Sequence, residues 1–193
     1  MVRTLIQSTK QTHEDGMGIR SKTKESTEVT NTEIVLPVHT NHYGNIFGGT
    51  LASFMDITGG LAAMLFCNEE VVTASIEALD FKTPIKQGDI IEQKGRVIYT
   101  GETSIVVSVR VHRVDKITGN RDFCCEGYFV YVAIDKKGNP QPVPLLKVVT
   151  DADKENWKMG REIKNRALGR KGKRASKELS SKTGDRSQKS GAK

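Results

Sequence analysis

The chain is poor in the features that would assign it to several large classes. Three cysteines occur in 193 residues, and two of them, Cys124 and Cys125, are neighbours. An odd count with an adjacent pair excludes a disulfide framework and makes a reducing cytoplasm the expected compartment. No uninterrupted apolar run reaches the roughly 20 residues of a membrane-spanning helix. The first 30 residues lack the apolar core of roughly 7–15 residues that a signal peptide needs. No 20–50 residue repeat is visible. The glycine-rich stretch near residue 48 is not followed by the Lys-Ser/Thr pair of a phosphate-cradling loop, and no Gly-x-Ser-x-Gly elbow presents a serine nucleophile. His39 and His42 lie three apart without a third ligand, so no metal site is expected.

What is present is unevenly distributed. The formal charge is +7, yet residues 151–193 hold 14 basic and 6 acidic side chains while the remainder is close to neutral, with 16 and 17. The basicity is therefore a property of the C-terminal end. Such an end attracts polyanions without specificity, and it reads as a solvated extension rather than as a specific nucleic-acid site. Residues 1–28 are rich in Ser, Thr, Lys and Glu and read as a flexible leader. Residues 29–148 form the expected domain. Residues 149–193 read as a basic tail, with a short helix near 151–168, N-capped at Thr150 with Asp153 three residues on, and disorder beyond Arg170.

Within the domain a short strand ends at Pro37, an irregular stretch follows, and Gly48 to Cys67 carries helical spacing. Four strands are expected after it, near 72–78, 89–99, 105–112 and 121–134. The third is the clearest, with Ile105, Val107, Val109 and Val111 alternating with Val106, Ser108, Arg110 and His112. Turn residues join these strands at Thr100-Gly101, Thr118-Gly119-Asn120 and Lys137-Gly138-Asn139. One long helix and about five antiparallel strands make an α+β domain.

The helix carries the chemistry. At about 100° per residue, Gly49, Ala52, Ser53, Gly59, Gly60 and Ala63 fall within roughly 60° of Asp56. Leu51, Phe54, Leu61 and Leu65 collect on the far side, flanked by Met55 and Ile57. The bulky side is expected to meet the sheet, leaving the small side open around a carboxylate. Close packing of another helix would also explain a small face, but it would not explain Asp56, because an unpaired buried carboxylate costs several kcal/mol, about the scale of a lost charge partner. Gly48 and Gly49 sit where helix N-terminal amides lack partners, a ready oxyanion site.

Asn41-x-x-Gly44-x-x-Phe47-Gly48-Gly49, followed by Met55-Asp56, resembles the hotdog-fold acyl-CoA thioesterases of the Asn/Asp type. Asp80-Phe81 with Pro84, Gly88-Asp89, and Thr100-Gly101-Glu102-Thr103-Ser104 extend the likeness over about residues 25–145. The resemblance implies a sheet wrapped round the helix, homodimers joined edge to edge, and often a trimer of dimers. It implies hydrolysis of acyl-CoA to CoA and a carboxylic acid without cofactor or metal. Asp56 would be the base or nucleophile, Asn41 would hold the water or carbonyl, and the Gly48–Gly49 amides would stabilise the oxyanion. For CoA, Thr73 and Ser75 on one strand and Thr103 and Ser104 in a turn are the expected contacts. Lys82, Lys86, Arg96, Arg110 and Arg113 are candidates for its phosphates. A hotdog dehydratase or isomerase, usually working through a histidine, and a non-catalytic acyl-CoA-binding protein are the alternatives.

Overall fold

The computed structural model describes residues 22–23 and 28–184. In chain order the elements are β1 (Lys22–Thr23), β2 (Val29–Ile34), α1 (Gly48–Cys67), β3 (Glu70–Phe81), β4 (Ile90–Thr100), β5 (Ser104–Val114), β6 (Arg121–Ile134), β7 (Leu146–Lys147) and α2 (Asp151–Gly184), with a 3-10 turn at Pro37–His39 between β2 and α1. Five strands form one antiparallel sheet in the order β2-β4-β5-β6-β3, and β1 pairs in parallel with β7. Because β3 is a terminal strand among the described residues, one of its edges has no neighbouring strand there.

Strand alternation sends side chains to two faces. Ile105, Val107, Val109 and Val111 of β5 join Phe129 and Tyr131 of β6 in the core that encloses α1. Val106 and Val130, one position along, join Ile98 and Tyr99 in a second core on the outer face. The sheet is thus apolar on both sides. An exposed outer face of this character would need a cover, and α2 supplies it.

The N-terminal part of α2 is therefore structural, not a solvated end. Ile163 and Ala167 are buried in the outer core, with Trp157 packed against it. Gly160 permits the close approach: a Cβ there would lie 2.5 Å from Tyr99 Cβ. The start of the helix is the expected reciprocal cap, with Asp153 N–H donating to Thr150 Oγ1 at 3.2 Å and Thr150 N–H donating to Asp153 Oδ2 at 3.0 Å. The helix runs 34 residues to Gly184, well past the expected end near 168. Residues 151–184 are rich in Ala, Lys, Glu, Arg, Met and Leu, all strong helix formers, and the sheet anchors the first turns. The leader expected over 1–28 falls almost wholly outside the described residues.

The orientation of α1 also departs from the expectation. Gly59, Gly60 and Ala63 face the sheet together with Leu51, Met55, Thr58, Ala62 and Phe66. Ile57, Leu61 and Leu65 point outward, and Leu65 is 58% exposed. Small residues on the buried side let the strands close tightly around the helix, so the apolar bulk is divided between the core and the outside. By length and composition α1 could cross a membrane, but in this fold it is the core helix, with Asp56 at its middle.

Candidate active site

The segment leading into α1 is pinned from several sides. Asn41 N–H donates to Asn45 O at 2.8 Å, Ile46 N–H to Ile85 O at 2.8 Å, and Phe47 N–H to His39 O at 2.8 Å. The Asn41 side chain closes its own turn: Oδ1 accepts from the amides of Tyr43 at 3.0 Å and Asn45 at 3.3 Å. With Oδ1 committed inward, the Nδ2 group is the end of Asn41 left to meet a ligand. His39 accepts from Leu36 N–H through Nδ1 and packs its ring edge on Phe54, while His42 lies against Tyr43. The two imidazoles have separate local roles.

The first intrahelical hydrogen bond of α1 is Leu51 N–H to Phe47 O at 3.0 Å. The amides of Gly48 and Gly49 precede it and form no hydrogen bond among the described residues, as the geometry of a helix start requires. Beside Gly48 lies a cavity of about 330 Å³, lined also by Leu51, Phe81, Lys82, Pro84 and Ile85, among others.

Asp56 stands two turns further on and is half-buried. Its Oδ1 accepts from Thr73 Oγ1 at 2.9 Å and from Tyr131 Oη at 3.1 Å. The Tyr131 hydroxyl also reaches the Asp56 carbonyl oxygen at 2.9 Å. Gly59 makes room for this, because a Cβ at that position would overlap the Tyr131 hydroxyl. Burial, together with the neighbouring Asp56 charge, pushes the Tyr131 phenol far above its ordinary range. It stays protonated, a permanent donor. Tyr131 was not singled out in the sequence; the only signal was a tyrosine within an apolar strand, whose hydroxyl needs a partner when buried.

Thr73 and Ser75 do not share a face. Thr73 pairs with Tyr131 and Ser75 with Val130, leaving Ala74 as the extra residue of a bulge. The bulge reverses the alternation, so Thr73 serves Asp56 while Ser75 turns to the outer face. There Ser75 meets Thr103 and Ser104 in a cleft of about 190 Å³, together with Ala74, Glu102 and Lys164 of α2. Ser75 Oγ is buried in that cleft without a hydrogen-bond partner among the described residues. Three of the four expected CoA contacts are therefore brought together, and the fourth belongs to the carboxylate.

The basic candidates separate as well. Arg110 is tied to Glu126 at 2.7 Å, Arg113 to Asp122 at 2.7 Å, and Arg96 lies 3.5 Å from Asp153. Lys82 lines the cavity at the helix start, 3.7 Å from Asp80. Lys86 bridges through its backbone to Asn45. The three cysteines are buried free thiols, and burial pushes Cys125 up to about 12, so it is held as an unreactive thiol.

A five-stranded antiparallel sheet wrapped round one helix, with a carboxylate at the middle of that helix, defines a hotdog-fold thioesterase. Residues 43–119 match the model of the thioesterase superfamily. A Bacillus subtilis relative, the uncharacterized acyl-CoA thioester hydrolase YkhA, is 36% identical over 132 residues, spanning 68% of this chain and 75% of its own. The chain belongs to this family of acyl-CoA thioester hydrolases. Among solved structures, acyl-CoA hydrolase from Staphylococcus aureus, in complex with butyryl-CoA, CoA and CoA disulfide, superposes with a TM-score of 0.76 at 29% identity, over 84% of this chain and 99% of that one. An apo-hexameric acyl-CoA thioesterase superposes at 0.73 and 39% identity, over 79% and 97%. The S. aureus protein has also been solved with an aspartate, a threonine or an asparagine replaced by alanine.

Proposed function

We propose that this chain hydrolyses acyl-CoA thioesters with Asp56 as the base that activates water or as the nucleophile itself. The observation that carries the reading is the carboxylate set in an otherwise uncharged core helix and held there by two hydroxyls. In the S. aureus hydrolase the replaced asparagine precedes the replaced aspartate by 15 residues, and the threonine follows it by 17. Asn41, Asp56 and Thr73 have the same separations.

With Asp56 as base, the water oxygen bonds to the thioester carbon while its proton passes to the carboxylate. The carbonyl electron pair moves onto oxygen, where the Gly49 amide and Asn41 Nδ2 donate. Collapse breaks the C–S bond, and the proton leaves with the CoA sulfur. A positioned base contributes about 10²–10⁴ in rate, and one oxyanion donor about 10²–10³. The cleft of Ser75, Thr103, Ser104 and Lys164 offers hydroxyls and an ammonium to the polar part of CoA.

Asp56 and the helix-start amides of one chain lie seven residues apart, roughly 10 Å along the axis at 1.5 Å per residue. A site joining them is therefore built between two chains: the Asn41 loop and Gly49 of one protomer face Asp56 of its partner. Support comes from the apolar strip that such a pairing would cover, Ile57, Leu61 and Leu65 of α1 beside Val72 and Ile76 of the β3 edge. Assembly of such dimers into a hexamer follows the solved hexameric relatives. A cytosolic location agrees with three free thiols.

The test is release of free thiol from acyl-CoA of graded chain length, with enoyl- and 3-hydroxyacyl-CoA assayed for hydration in parallel. Turnover to free CoA is expected. Hydration without thiol release, or tight binding without turnover, would replace this reading with a dehydratase or a binding protein.

A further inference from the structure

The two hydroxyls that meet Asp56 make its carboxylate oxygens unlike. Oδ1 accepts from Thr73 at 2.9 Å and from Tyr131 at 3.1 Å. Oδ2 accepts no hydrogen bond among the described residues. We infer that Asp56 reacts through Oδ2, and that Tyr131 is the positioning residue that fixes which oxygen this is. The inference rests on the reading in which Asp56 is the base or nucleophile.

Several features mark the arrangement as built rather than incidental. Thr73 and Tyr131 are direct partners in the β3–β6 register, so both hydroxyls leave the sheet side by side and converge on one oxygen. The phenol also contacts the Asp56 main-chain carbonyl, which ties the side chain and the backbone of the same residue to one rigid ring. That ring is 1% exposed and lies nearly parallel to Phe129, with 14° between the planes and 6.3 Å between centroids. The helix gives up a side chain at Gly59 to admit the hydroxyl, although glycine is a poor helix former. Thr73 comes from β3 and Tyr131 from β6; of these only Tyr131 titrates, and its proton is held throughout the working range. Asp56 forms no ion pair among the described residues. A carboxylate fixed through Oδ1 keeps Oδ2 in one direction, and a reaction needs its base or nucleophile within a few tenths of an ångström of the productive geometry. The Tyr131 hydroxyl reaches Asp56 through both its side chain and its main chain, so it acts through the carboxylate.

The experiment compares wild type with Tyr131→Phe as folded oligomers, reading kcat and KM. The Phe variant is expected to lose about tenfold in kcat, in the range set by a hydrogen bond to a charged acceptor, with KM within about twofold. p-Aminophenylalanine at 131, which restores an N–H donor at the same place, should recover most of the loss. Gly59→Ala, whose methyl displaces the phenol, should reproduce the Phe signature and decides the matter should Tyr131→Phe not fold. Unchanged kcat, with only thermal stability lowered, would overturn the inference and reduce Tyr131 to packing. Asp56→Asn in the same series separates the two levels. If it stays active, the underlying reading fails; if it is inactive while Tyr131→Phe behaves as wild type, only the role of Tyr131 fails.

Discussion

A site shared between two chains makes a quantitative prediction for mixed dimers. Asn41→Ala and Asp56→Ala should each be inactive alone. The structure bears on whether one chain could still bring both groups to one carbonyl. Gly49 and Asp56 are separated by about two helical turns, roughly 10 Å. The Asn41 loop is held away from such a fold-back, because isolated β-bridges join Thr40 to Ile46 and Asn45 to Lys86, and its amide oxygen is spent on the amides of Tyr43 and Asn45. Unfolding the two variants together in equal amounts and refolding them gives half mixed dimers. Each mixed dimer has one intact pair, with Asp56 from the Asn41→Ala chain and Asn41 from the Asp56→Ala chain, and one site lacking both. Activity should therefore return to about a quarter of wild type, for random pairing across an isologous two-fold. Differently tagged chains verify that mixed dimers formed. No recovery in purified mixed dimers would refute the shared site, since a same-chain site has no intact pair in any mixture.

Two further predictions concern what holds the framework together. Ile163→Ala opens the outer core where α2 meets β4, β5 and β6 and should cost about 2–5 kcal/mol. That is roughly 4–20 °C in Tm at about 2–4 °C per kcal/mol for a chain of this size, with kcat unchanged because Asp56 lies on the other side of the sheet; a shift below about 3 °C would mean α2 is a loose attachment. Glu92 is buried and its carboxyl is held below the ordinary carboxylate range, chiefly by hydrogen bonds from Arg121 at 2.8 and 2.9 Å. A depressed folded value contributes stability above the unfolded carboxylate range and loses it as pH falls through the folded value. Arg121→Gln should accordingly unfold at lower temperature than wild type at pH 7, with the gap closing as the pH drops below the carboxylate range. A gap of constant size down to pH 3 would contradict this origin.

The elements that position the site were largely legible in the sequence. The helix from Gly48 to Cys67 and the strand from Arg121 to Ile134 have the bounds their spacing indicated, because periodicity and flanking turns act locally. Asn41, Asp56 and the paired glycines were marked by local pattern too. Three things were not local. Which side of α1 the sheet takes depends on how tightly the strands can close, and that is set by Gly59 and Gly60 meeting Tyr131. The bulge at Ala74 reverses strand alternation, so it separated Thr73 from Ser75, which simple period-two counting had placed together. The C-terminal end read as a solvated extension because the partner of α2, the apolar outer face formed by Ile98, Tyr99, Val106 and Val130, comes from strands some 20 to 70 residues earlier in the chain.

The most direct measurement is thiol release by Asp56→Asn beside wild type, at saturating acyl-CoA and on protein of the same oligomeric size. The amide keeps the shape of the carboxylate and an oxygen that Thr73 and Tyr131 can address, but it can neither take a proton from water nor attack a thioester effectively. The account predicts a loss of about 10²–10⁴ in kcat, the contribution of a positioned base, with the fold and its Tm retained. A variant that keeps more than about a tenth of the wild-type kcat would contradict it.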